Sequence, residues 1–308
     1  MLIKKLIKYV FDSDYRFLID SAVGHKYDQI GDLQFISQKY TIALGRKLNL
    51  NNPTTFNEKL QYLKLYDRRP EYTVMADKYL VKEYVSEKVG QQCIIPTIGV
   101  WDDPDGIDFD ALPERFVLKC NHNSGLGMYI CRNKADMDVK AVRRGLRKGL
   151  KQDYYLTGRE WPYKNIPRKI LAEQYMEDAS GGLVDYKVHC FNGEPRFILV
   201  CSDRFGPGGL TEDFLTTDWQ RLPVKRPNIK TSEVLMDRPA ELEEILELAG
   251  TLSKGIPFVR VDFYIINHKV YFSELTFYPA SGFTPFEPEE WDETFGSWLE
   301  LPGKAETR

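Results

Sequence analysis

Residues 258–276 read FVRVDFYIINHKVYFSELT, a pattern typical of a β-hairpin. Because side chains alternate between the two faces of a strand, Arg260 and Asp262 are predicted to share one face. If residues 267–269 form a three-residue loop, Asp262 lies directly opposite Glu274; a two-residue loop would displace the pair by one position. The hairpin therefore predicts two carboxylates side by side on one face of a sheet.

Two opposed carboxylates repel each other and destabilise a sheet unless positive charge lies between them. A hard cation is one remedy, since Mg²⁺ is usually held by one or two carboxylates together with phosphate oxygens. A structural ion pair is the other remedy, with Arg260 or a lysine from elsewhere in the chain as the counter-ion. The hairpin alone is compatible with both.

A lysine interrupts an apolar strand earlier in the chain. Residues 115–120 read RFVLKC, and the stretch NHNSGLG follows at residues 121–127. Lys119, next to backbone N–H groups that glycine leaves free, suits phosphate oxygens, whereas the alternative is a strand-end lysine that reaches water. His122 in the same stretch is compatible with a loop anchor or with a donor to phosphate.

A third charged segment is the strand DYKVHCF at residues 185–191, in which Asp185 and Lys187 share a face. Residues 192–193 read Asn-Gly and predict a two-residue hairpin turn. A face that carries a lysine and a carboxylate suits a nucleotide from its ribose to its γ-phosphate; a solvated strand face is the alternative interpretation.

The same turn predicts the register of the partner strand. With two residues in the turn, Ile198 would lie opposite Lys187, and Ser202 and Arg204 would continue the same face. Arg204 would then add a second positive charge beside Lys187.

Helical patterns flank these hairpins. Residues 55–58, Thr-Phe-Asn-Glu, fit a capping box that opens a helix. A second helix is predicted over residues 71–89, which Gly90 ends. Two more helices are predicted over about residues 138–152 and 240–254.

The order of these elements predicts an α+β class, with antiparallel sheets flanked by helices. A helical N-terminal region is expected over residues 1–92, and a nucleotide-binding and catalytic domain over residues 93–286. Residues 287–308 are acidic and then polar, which predicts a C-terminal tail.

The bulk composition excludes one class of partner. The net charge of the 308 residues is −3, so no overall basic field favours a nucleic acid. The five cysteines are odd in number and lack a Cys-x-x-Cys spacing, which predicts buried reduced thiols in a reducing compartment and hence a cytoplasmic protein. The sequence has no run of about 18 apolar residues that would predict a membrane span.

The first eleven residues, MLIKKLIKYVF, are basic and amphipathic. They lack the long apolar core and the cleavage site of a signal peptide. The pattern is compatible with a helix docked on the protein's own body and with a helix in reversible contact with an anionic surface at the inner membrane face.

Four features follow one another along the chain: the strand lysine before a glycine-bearing loop, a strand ending in Glu-x-Tyr-Met at residues 173–176, the Asp-x-Lys strand, and the closing Asp/Glu hairpin. Their order resembles the ATP-grasp superfamily. The segments FNEKLQ at residues 56–61, DKY at 77–79 and ELTFYP at 274–279 are similar to the TupA-like ATP-grasp family, which is named for teichuronopeptide biosynthesis and occurs among genes for surface polysaccharides. The resemblance covers about residues 56–286.

The resemblance implies an ATP-grasp fold and a phosphate-binding set. Lys119 and Lys187 would contact the phosphates of ATP, and Arg204 would join them around the transferred phosphoryl group. The loop that contains Ser124 and Gly125 would cover the phosphates.

The resemblance also implies contacts to the rest of the nucleotide. Glu173 would accept a hydrogen bond from the adenine amino group, and Tyr175 and Met176 would form the hinge whose backbone reads the edge of the ring. Asp185 would hold the ribose.

The implied metal is Mg²⁺, with Asp262 and Glu274 as carboxylate ligands. Thr276 stands where many ATP-grasp enzymes have asparagine, and its hydroxyl would be the third ligand. The implied cofactors are therefore ATP and Mg²⁺.

The activity that the resemblance implies is that of an ATP-dependent carboxylate–amine ligase. Transfer of the γ-phosphate to a carboxylate makes an acyl phosphate, and an amine displaces the phosphate to give an amide and ADP. The genomic company of the family suggests an amino acid joined to a uronic acid of a cell-surface polysaccharide. Ser281, Gly282 and Thr284 are expected to line the acceptor pocket.

Two other activities remain open at this stage. A glycosyltransferase that uses a nucleotide sugar is one, because Asp-x-Asp triplets occur at residues 12–14, 103–105 and 108–110. An ATP-dependent kinase on the same scaffold, acting on a sugar or lipid hydroxyl, is the other.

Overall fold

Two antiparallel sheets contain the strands of the residues that the structure describes. The computed structural model describes residues 2–23, 26–179, 183–203 and 208–303, and for residues 2–5 and 23 the backbone alone. The predicted catalytic residue Arg204 lies outside the described residues.

The first sheet has the strand order β1-β4-β2-β3 and the second has the order β7-β6-β5-β8-β9, with every neighbouring pair antiparallel. The strands are β1 (Thr97–Trp101), β2 (Phe116–Cys120), β3 (Tyr129–Cys131), β4 (Ile170–Gln174), β5 (Asp185–Phe191), β6 (Glu194–Ser202), β7 (Thr211–Thr216), β8 (Phe258–Ile266) and β9 (Lys269–Thr276). This arrangement confirms the predicted class of antiparallel sheets flanked by helices.

The helices of the described residues precede, separate and follow the strands. In chain order they are α1 (Leu2–Phe11), α2 (Ser13–Val23), α3 (Asp32–Leu44), α4 (Phe56–Tyr66), α5 (Glu71–Ala76), α6 (Val81–Val89), α7 (Val139–Lys151), α8 (Tyr154–Gly158), α9 (Leu242–Ser253) and α10 (Glu290–Trp298). None of them has the length and the apolar run that a bilayer-spanning helix needs.

The β8–β9 hairpin places Asp262 opposite Glu274, as predicted, but by a different route. Its turn has two residues and not three: Asn267 and His268 both adopt left-handed backbone, with φ of 49° and 60°. A two-residue turn alone would displace the carboxylates by one position. A β-bulge that leaves Ser273 unpaired restores the register, because it adds one residue to β9.

The β5–β6 hairpin has the predicted two-residue turn, yet its register differs from the prediction beyond the turn. A bulge beside His189 leaves Arg196 unpaired, so that Lys187 lies opposite Leu199 and not Ile198. Ser202 consequently belongs to the other face of the sheet from Lys187, which corrects the prediction. The bulge lies next to Pro195, which has no N–H to donate to a regular ladder.

The predicted capping box at Thr55 is present and opens α4. The single helix predicted over residues 71–89 is wrong in one respect, since the structure has two helices, α5 and α6. The carboxylate of Asp77 accepts hydrogen bonds from the backbone N–H groups of Tyr79 and Leu80, at 2.8 and 3.3 Å. This local capping interaction competes with a continuous helix and begins a new turn.

The C-terminal segment is not a polar tail, because α10 is part of the main core. Phe295 is fully buried, and its ring centroid lies 4.5 Å from that of Phe197 and 5.1 Å from that of Phe286. Trp291, Phe295 and Trp298 recur at helical spacing and form an apolar face. The acidic residues between them obscured this pattern in the sequence.

Three clusters of buried apolar residues support the fold. The largest lies around the second sheet and takes in α4, α6, α9 and α10; the second joins the first sheet to α7, and a small third one holds α2 and α3 together. The five cysteines are buried free thiols, as predicted.

Candidate active site

Charged side chains on the first sheet form one half of the candidate site. Lys119 on β2 and Glu173 on β4 share a face, and the Lys119 Nζ lies 2.5 Å from Glu173 Oε2. Lys82 from α6 lies 2.6 Å from the other carboxylate oxygen. Burial alone would raise the pKa of Glu173, but the two lysines outweigh it and hold the pKa below its usual value.

The second sheet supplies the other half. Lys187 lies opposite Asp262 on adjacent strands, with the Lys187 Nζ 2.6 Å from Asp262 Oδ2 and 3.3 Å from Asp185 Oδ1. Arg260 donates to both oxygens of Asp262, each at 2.6 Å. Asp262 is fully buried, which would raise its pKa, but Arg260 and Lys187 keep the pKa below the usual value.

Glu274 and Thr276 complete this half of the site. Arg260 donates to Glu274 Oε1 at 3.3 Å and to Thr276 Oγ1 at 3.0 Å. The cation between the two hairpin carboxylates is therefore Arg260, which the sequence indicated only as an alternative counter-ion. In the part of the chain that the structure describes, no group of three or more His, Cys, Asp or Glu residues could hold a metal ion.

Lys78 connects the two halves. Its Nζ donates to the carbonyl oxygen of Asn123 at 2.8 Å and lies 3.8 Å from Glu274 Oε2. Burial lowers the pKa of Lys78, and Lys78 also lies within electrostatic range of Lys119 and Glu173. Lys119, Glu173, Asp262 and Glu274 thus belong to one linked group of charged side chains, called the charged cleft below, and their use as an ATP site stays a prediction.

Lys78 and Lys82 are the site residues that sequence reasoning missed. Both lie near the start of a helix, where a lysine usually points to solvent, so their identity alone carries no signal. Lys78 belongs to the segment DKY, whose similarity to the family carries no information about a role for the lysine.

The loop after β2 is anchored at its base and exposed at its tip. Asn121 and Asn123 are buried; Asn121 donates to Asp77 Oδ2 at 2.9 Å, and Asn123 donates to backbone carbonyls. His122 is buried too, and its Nε2–H donates to the Gln152 carbonyl at 3.0 Å. Burial lowers the pKa of His122 to about 4, so it serves as a neutral loop anchor and not as a cationic donor.

The remaining predicted nucleotide contacts lie where the cleft is open. Ser124 and Gly125 are exposed at the tip of the loop, and Gly125 adopts a φ of 83°. Tyr175 and Met176 are half-buried and follow β4 directly. Their roles toward ATP, like those of Asp185 and Glu173, remain predictions.

The predicted acceptor segment begins just beyond Glu274. Ala280, Ser281 and Gly282 all have left-handed backbone, with φ of 47°, 57° and 62°. The Ser281 carbonyl accepts a hydrogen bond from the fully buried Lys64 at 2.6 Å, which holds this unusual turn in place. The Thr284 carbonyl accepts a hydrogen bond from the side-chain amide of Asn57 at 3.1 Å.

The Asp-x-Asp triplets have a local structural role. Asp12, Asp103 and Asp108 each accept a hydrogen bond from the backbone N–H two residues further on, at 3.0, 2.8 and 3.0 Å. Such contacts are usual for aspartate at turns and helix starts. The triplets therefore need no nucleotide sugar to account for them.

Comparisons with known proteins bear on this site. A family model described as TupA-like ATPgrasp matches residues 58–300. No curated protein matches the sequence. Among solved structures, the D-alanine–D-alanine ligase of Helicobacter pylori is similar at 15% identity and a TM-score of 0.42, with 80% of this chain and 69% of that chain covered.

Two further solved structures are similar at lower coverage. The D-alanine–D-alanine ligase of Bacillus anthracis complexed with ATP has 14% identity and a TM-score of 0.39, with 72% of this chain and 56% of that chain covered. The ATP-grasp ligase PsnB complexed with minimal precursor, Mg and ADP has 10% identity and a TM-score of 0.39, with 71% and 57% covered. The present chain thus spans less than two thirds of the length of both.

Proposed function

Because the chain belongs to the TupA-like ATP-grasp family, and membership of this family supports an ATP-grasp ligase, we propose that the protein activates a carboxylate with Mg-ATP and joins it to an amine. The observation that carries the proposal is the charged cleft. Lys119, Lys187, Arg260 and Lys78 line it, and they are the cations that a transferred phosphoryl group needs around it.

The hairpin residues fit a divalent ion that is shared with a nucleotide. Asp262, Glu274 and Thr276 offer oxygen donors on neighbouring strands, yet by themselves they do not surround an ion. Mg²⁺ typically takes one or two carboxylates and completes its shell with water and phosphate oxygens. When bound there, Mg²⁺ would supply positive charge beside the phosphoryl group.

The protein's own residues prepare the cleft for that group. The ammonium of Lys187 has three protons, of which Asp262 and Asp185 engage two, so one remains to donate to a phosphate oxygen. Asp262 fixes the direction of both Lys187 and Arg260. Lys119 is held by Glu173 in the same way on the other sheet. These lysines are thus positioned before a substrate arrives.

The substrates are proposed from the family resemblance alone. They are a carboxylate-bearing sugar or glycan, as in a capsule or another cell-surface polysaccharide, and an amino acid as the amine. Cytoplasmic location, Arg204 as a further contact and the boundary near residue 92 between an N-terminal region and a catalytic domain remain predictions as well.

We expect ATP with Mg²⁺ to stabilise the protein, and UDP-sugars to have little effect. A ligand at about 100 times its dissociation constant adds roughly 2.7 kcal/mol to the free energy of unfolding.

The second part of the test traps the intermediate. Enzyme, Mg-ATP, uronic-acid glycans and hydroxylamine should give a hydroxamate, because hydroxylamine captures acyl phosphates.

Lys119→Ala is the control, since loss of a phosphate contact should abolish hydroxamate formation. A stable phosphorylated glycan without hydroxamate would show that the protein is a kinase and not a ligase. A thermal shift with UDP-sugars but none with ATP would favour the glycosyltransferase instead.

We further propose that residues 1–11 contact an anionic membrane surface. On α1 the side chains of Leu6, Ile7, Val10 and Phe11 are all more than half exposed, which is unusual for apolar residues of one short helix. We expect deletion of residues 1–11 to weaken co-sedimentation with phosphatidylserine vesicles while the shift with ATP is unchanged. Equal sedimentation of both forms would contradict this proposal.

A further inference from the structure

Residues 154–163 bring a second group of polar side chains next to the cleft. The segment consists of α8 and a short 3₁₀ turn, Trp161–Tyr163, and it joins α7 to β4. Tyr154 and Tyr163 pack edge to face, with ring centroids 4.8 Å apart. Both rings lie within electrostatic range of Glu160, Glu274 and Arg260, which places the segment near the hairpin of the cleft.

Glu160 is the unusual member of this group. Its side chain is only 4% exposed, and it hydrogen-bonds the side chain of Ser281. Burial of a carboxylate is costly unless a cation contacts it. Among the described residues, no lysine or arginine nitrogen lies within 4.0 Å of the Glu160 carboxylate, whereas Asp262 and Glu173 each have two such partners.

The lysine that acts most strongly on Glu160 is Lys64, and its own hydrogen bonds go to other groups. Lys64 is fully buried, and its Nζ donates to the carbonyls of Gly158 and Ser281 at 2.9 and 2.6 Å and to Ser281 Oγ at 3.1 Å. These three acceptors use all the protons of an ammonium group. Lys64 therefore holds the turn that carries Ser281, and its charge acts on Glu160 without a direct ion pair, so that the hydrogen bond from Ser281 is the contact given to this carboxylate.

The backbone around Glu160 is unusually tight. A Cβ on Gly158 would lie 2.0 Å from Ser281 Oγ and 3.0 Å from Glu160 Oε1, so only glycine fits there. On the opposite side, Ala280 and Ser281 hold left-handed conformations that are rare for residues other than glycine. Strained backbone of this kind persists where the surroundings impose it, and it is concentrated at functional sites.

From this geometry we infer that Glu160 binds the ammonium group of the amine substrate and accepts its proton; the inference deepens the proposed ligase function and rests on it. A buried carboxylate without a contacting cation is a site for a cation that comes from outside. Its position beside Ser281, seven residues after Glu274 in sequence, places it on the acceptor side of the cleft.

Glu160 would serve the attack of the amine on the acyl phosphate. The ammonium group gives one proton to the Glu160 carboxylate and becomes a neutral amine. The nitrogen lone pair forms a bond to the acyl carbon, and the bond from that carbon to the phosphate oxygen breaks, with its electron pair leaving on the phosphate. The second proton of the nitrogen passes to the departing phosphate, which gives an amide and hydrogen phosphate.

The environment of Glu160 favours a proton acceptor of moderate strength. Burial raises its pKa, while Lys64, the hydrogen bond from Ser281, Lys39 and Arg260 act against that rise. A carboxylate with a raised pKa holds a proton better at neutral pH, which is what a general base requires. The titratable groups that face it are Lys64 from α4, Lys39 from α3, Arg260 from β8, Tyr154 from α8, Tyr163 from the 3₁₀ turn and Tyr278 from the segment after β9.

Glu160→Gln tests the inference, because it keeps the shape and removes the charge. Hydroxylamine is largely neutral at pH 7 and needs no base, so its reaction separates acyl phosphate formation from amine activation. We expect Glu160→Gln to lower amide formation with an amino-acid mixture by about 10²–10³-fold and to leave hydroxamate formation within a few fold. Raising the pH should partly restore the amide rate, since the amine then loses its proton to water.

Three comparisons make the outcome decisive. Glu160→Asp should retain part of the amide rate, and Glu247→Gln, an exposed change on α9, should match the wild type. Amino acids should add to the thermal shift of the ATP complex in the wild type and not in Glu160→Gln, a readout that holds even if the carboxylate substrate is absent.

Unchanged amide formation and unchanged amino-acid binding in Glu160→Gln would overturn the inference and make Glu160 structural. Equal loss of amide and hydroxamate in a folded Glu160→Gln protein would overturn it too, because Glu160 would then serve phosphoryl transfer. If the wild type forms no hydroxamate while ATP binds, the ligase proposal itself fails, which these variants distinguish from failure of Glu160 alone.

Discussion

Asp262→Asn is expected to lower turnover by about 10²–10³-fold and to destabilise the protein by about 3–5 kcal/mol. The carboxylate accepts two hydrogen bonds from Arg260 and one from Lys187, and it is fully buried. An amide cannot balance these two buried cations, which would keep only the longer contacts to Asp185 and Glu274. Urea unfolding and hydroxamate formation measure the two effects separately.

Glu274→Gln is the matched control, because Glu274 lies directly across the hairpin from Asp262. Its side chain is 34% exposed, and its contacts to Arg260 and Lys78 are longer, at 3.3 and 3.8 Å. We expect a similar loss of turnover with less than about 1 kcal/mol of destabilisation. If Asp262→Asn keeps full activity, the hairpin carboxylates form only a structural ion pair.

Phe295→Ala is expected to destabilise the protein by about 3–5 kcal/mol, although the sequence alone predicts only a polar tail for this segment. Its ring stacks on Phe197 from the second sheet and contacts Phe286 and Trp298, so its removal leaves a cavity in the main core. Chemical denaturation measures the loss.

Phe11→Ala provides the comparison, since the Phe11 side chain is 82% exposed and should change the unfolding free energy by less than about 0.5 kcal/mol. A small effect of Phe295→Ala would mean that α10 contributes little to the core. The originally predicted polar tail would then be the better description of the segment.

The sequence predicted the hairpin elements because their signals are local. The alternation in β8, the Asn-Gly turn after β5 and the Thr55 capping box each depend on a few adjacent residues. The family and the class of fold followed from the order of such segments. Lys119, Asp262 and Glu274 could be predicted as site residues because a charged residue in an apolar strand is conspicuous, whereas Glu173 was predicted from the family resemblance.

The missing parts depend on contacts between distant segments. Nothing near Lys82 indicates that it reaches Glu173, which lies 91 positions away in the sequence. The two bulges also have no sequence signature, so register was predicted as if the ladders were regular. Glu160 was missed because it lies in a segment without helix or strand periodicity.

The bulge at Ser273 separates the β8–β9 hairpin into two frames of opposite parity. From the turn to the Phe263–Phe272 pair, the two residue numbers of each pair add up to an odd number. From the Asp262–Glu274 pair to the open end of the hairpin, they add up to an even number. Without the extra residue, Asp262 would face Ser273, and Glu274 would pair with Val261 and point into the apolar layer. The pairing of the two carboxylates therefore depends on a single inserted residue. A one-residue deletion at the bulge would shift the pairing of Glu274 and the residues after it by one position relative to β8.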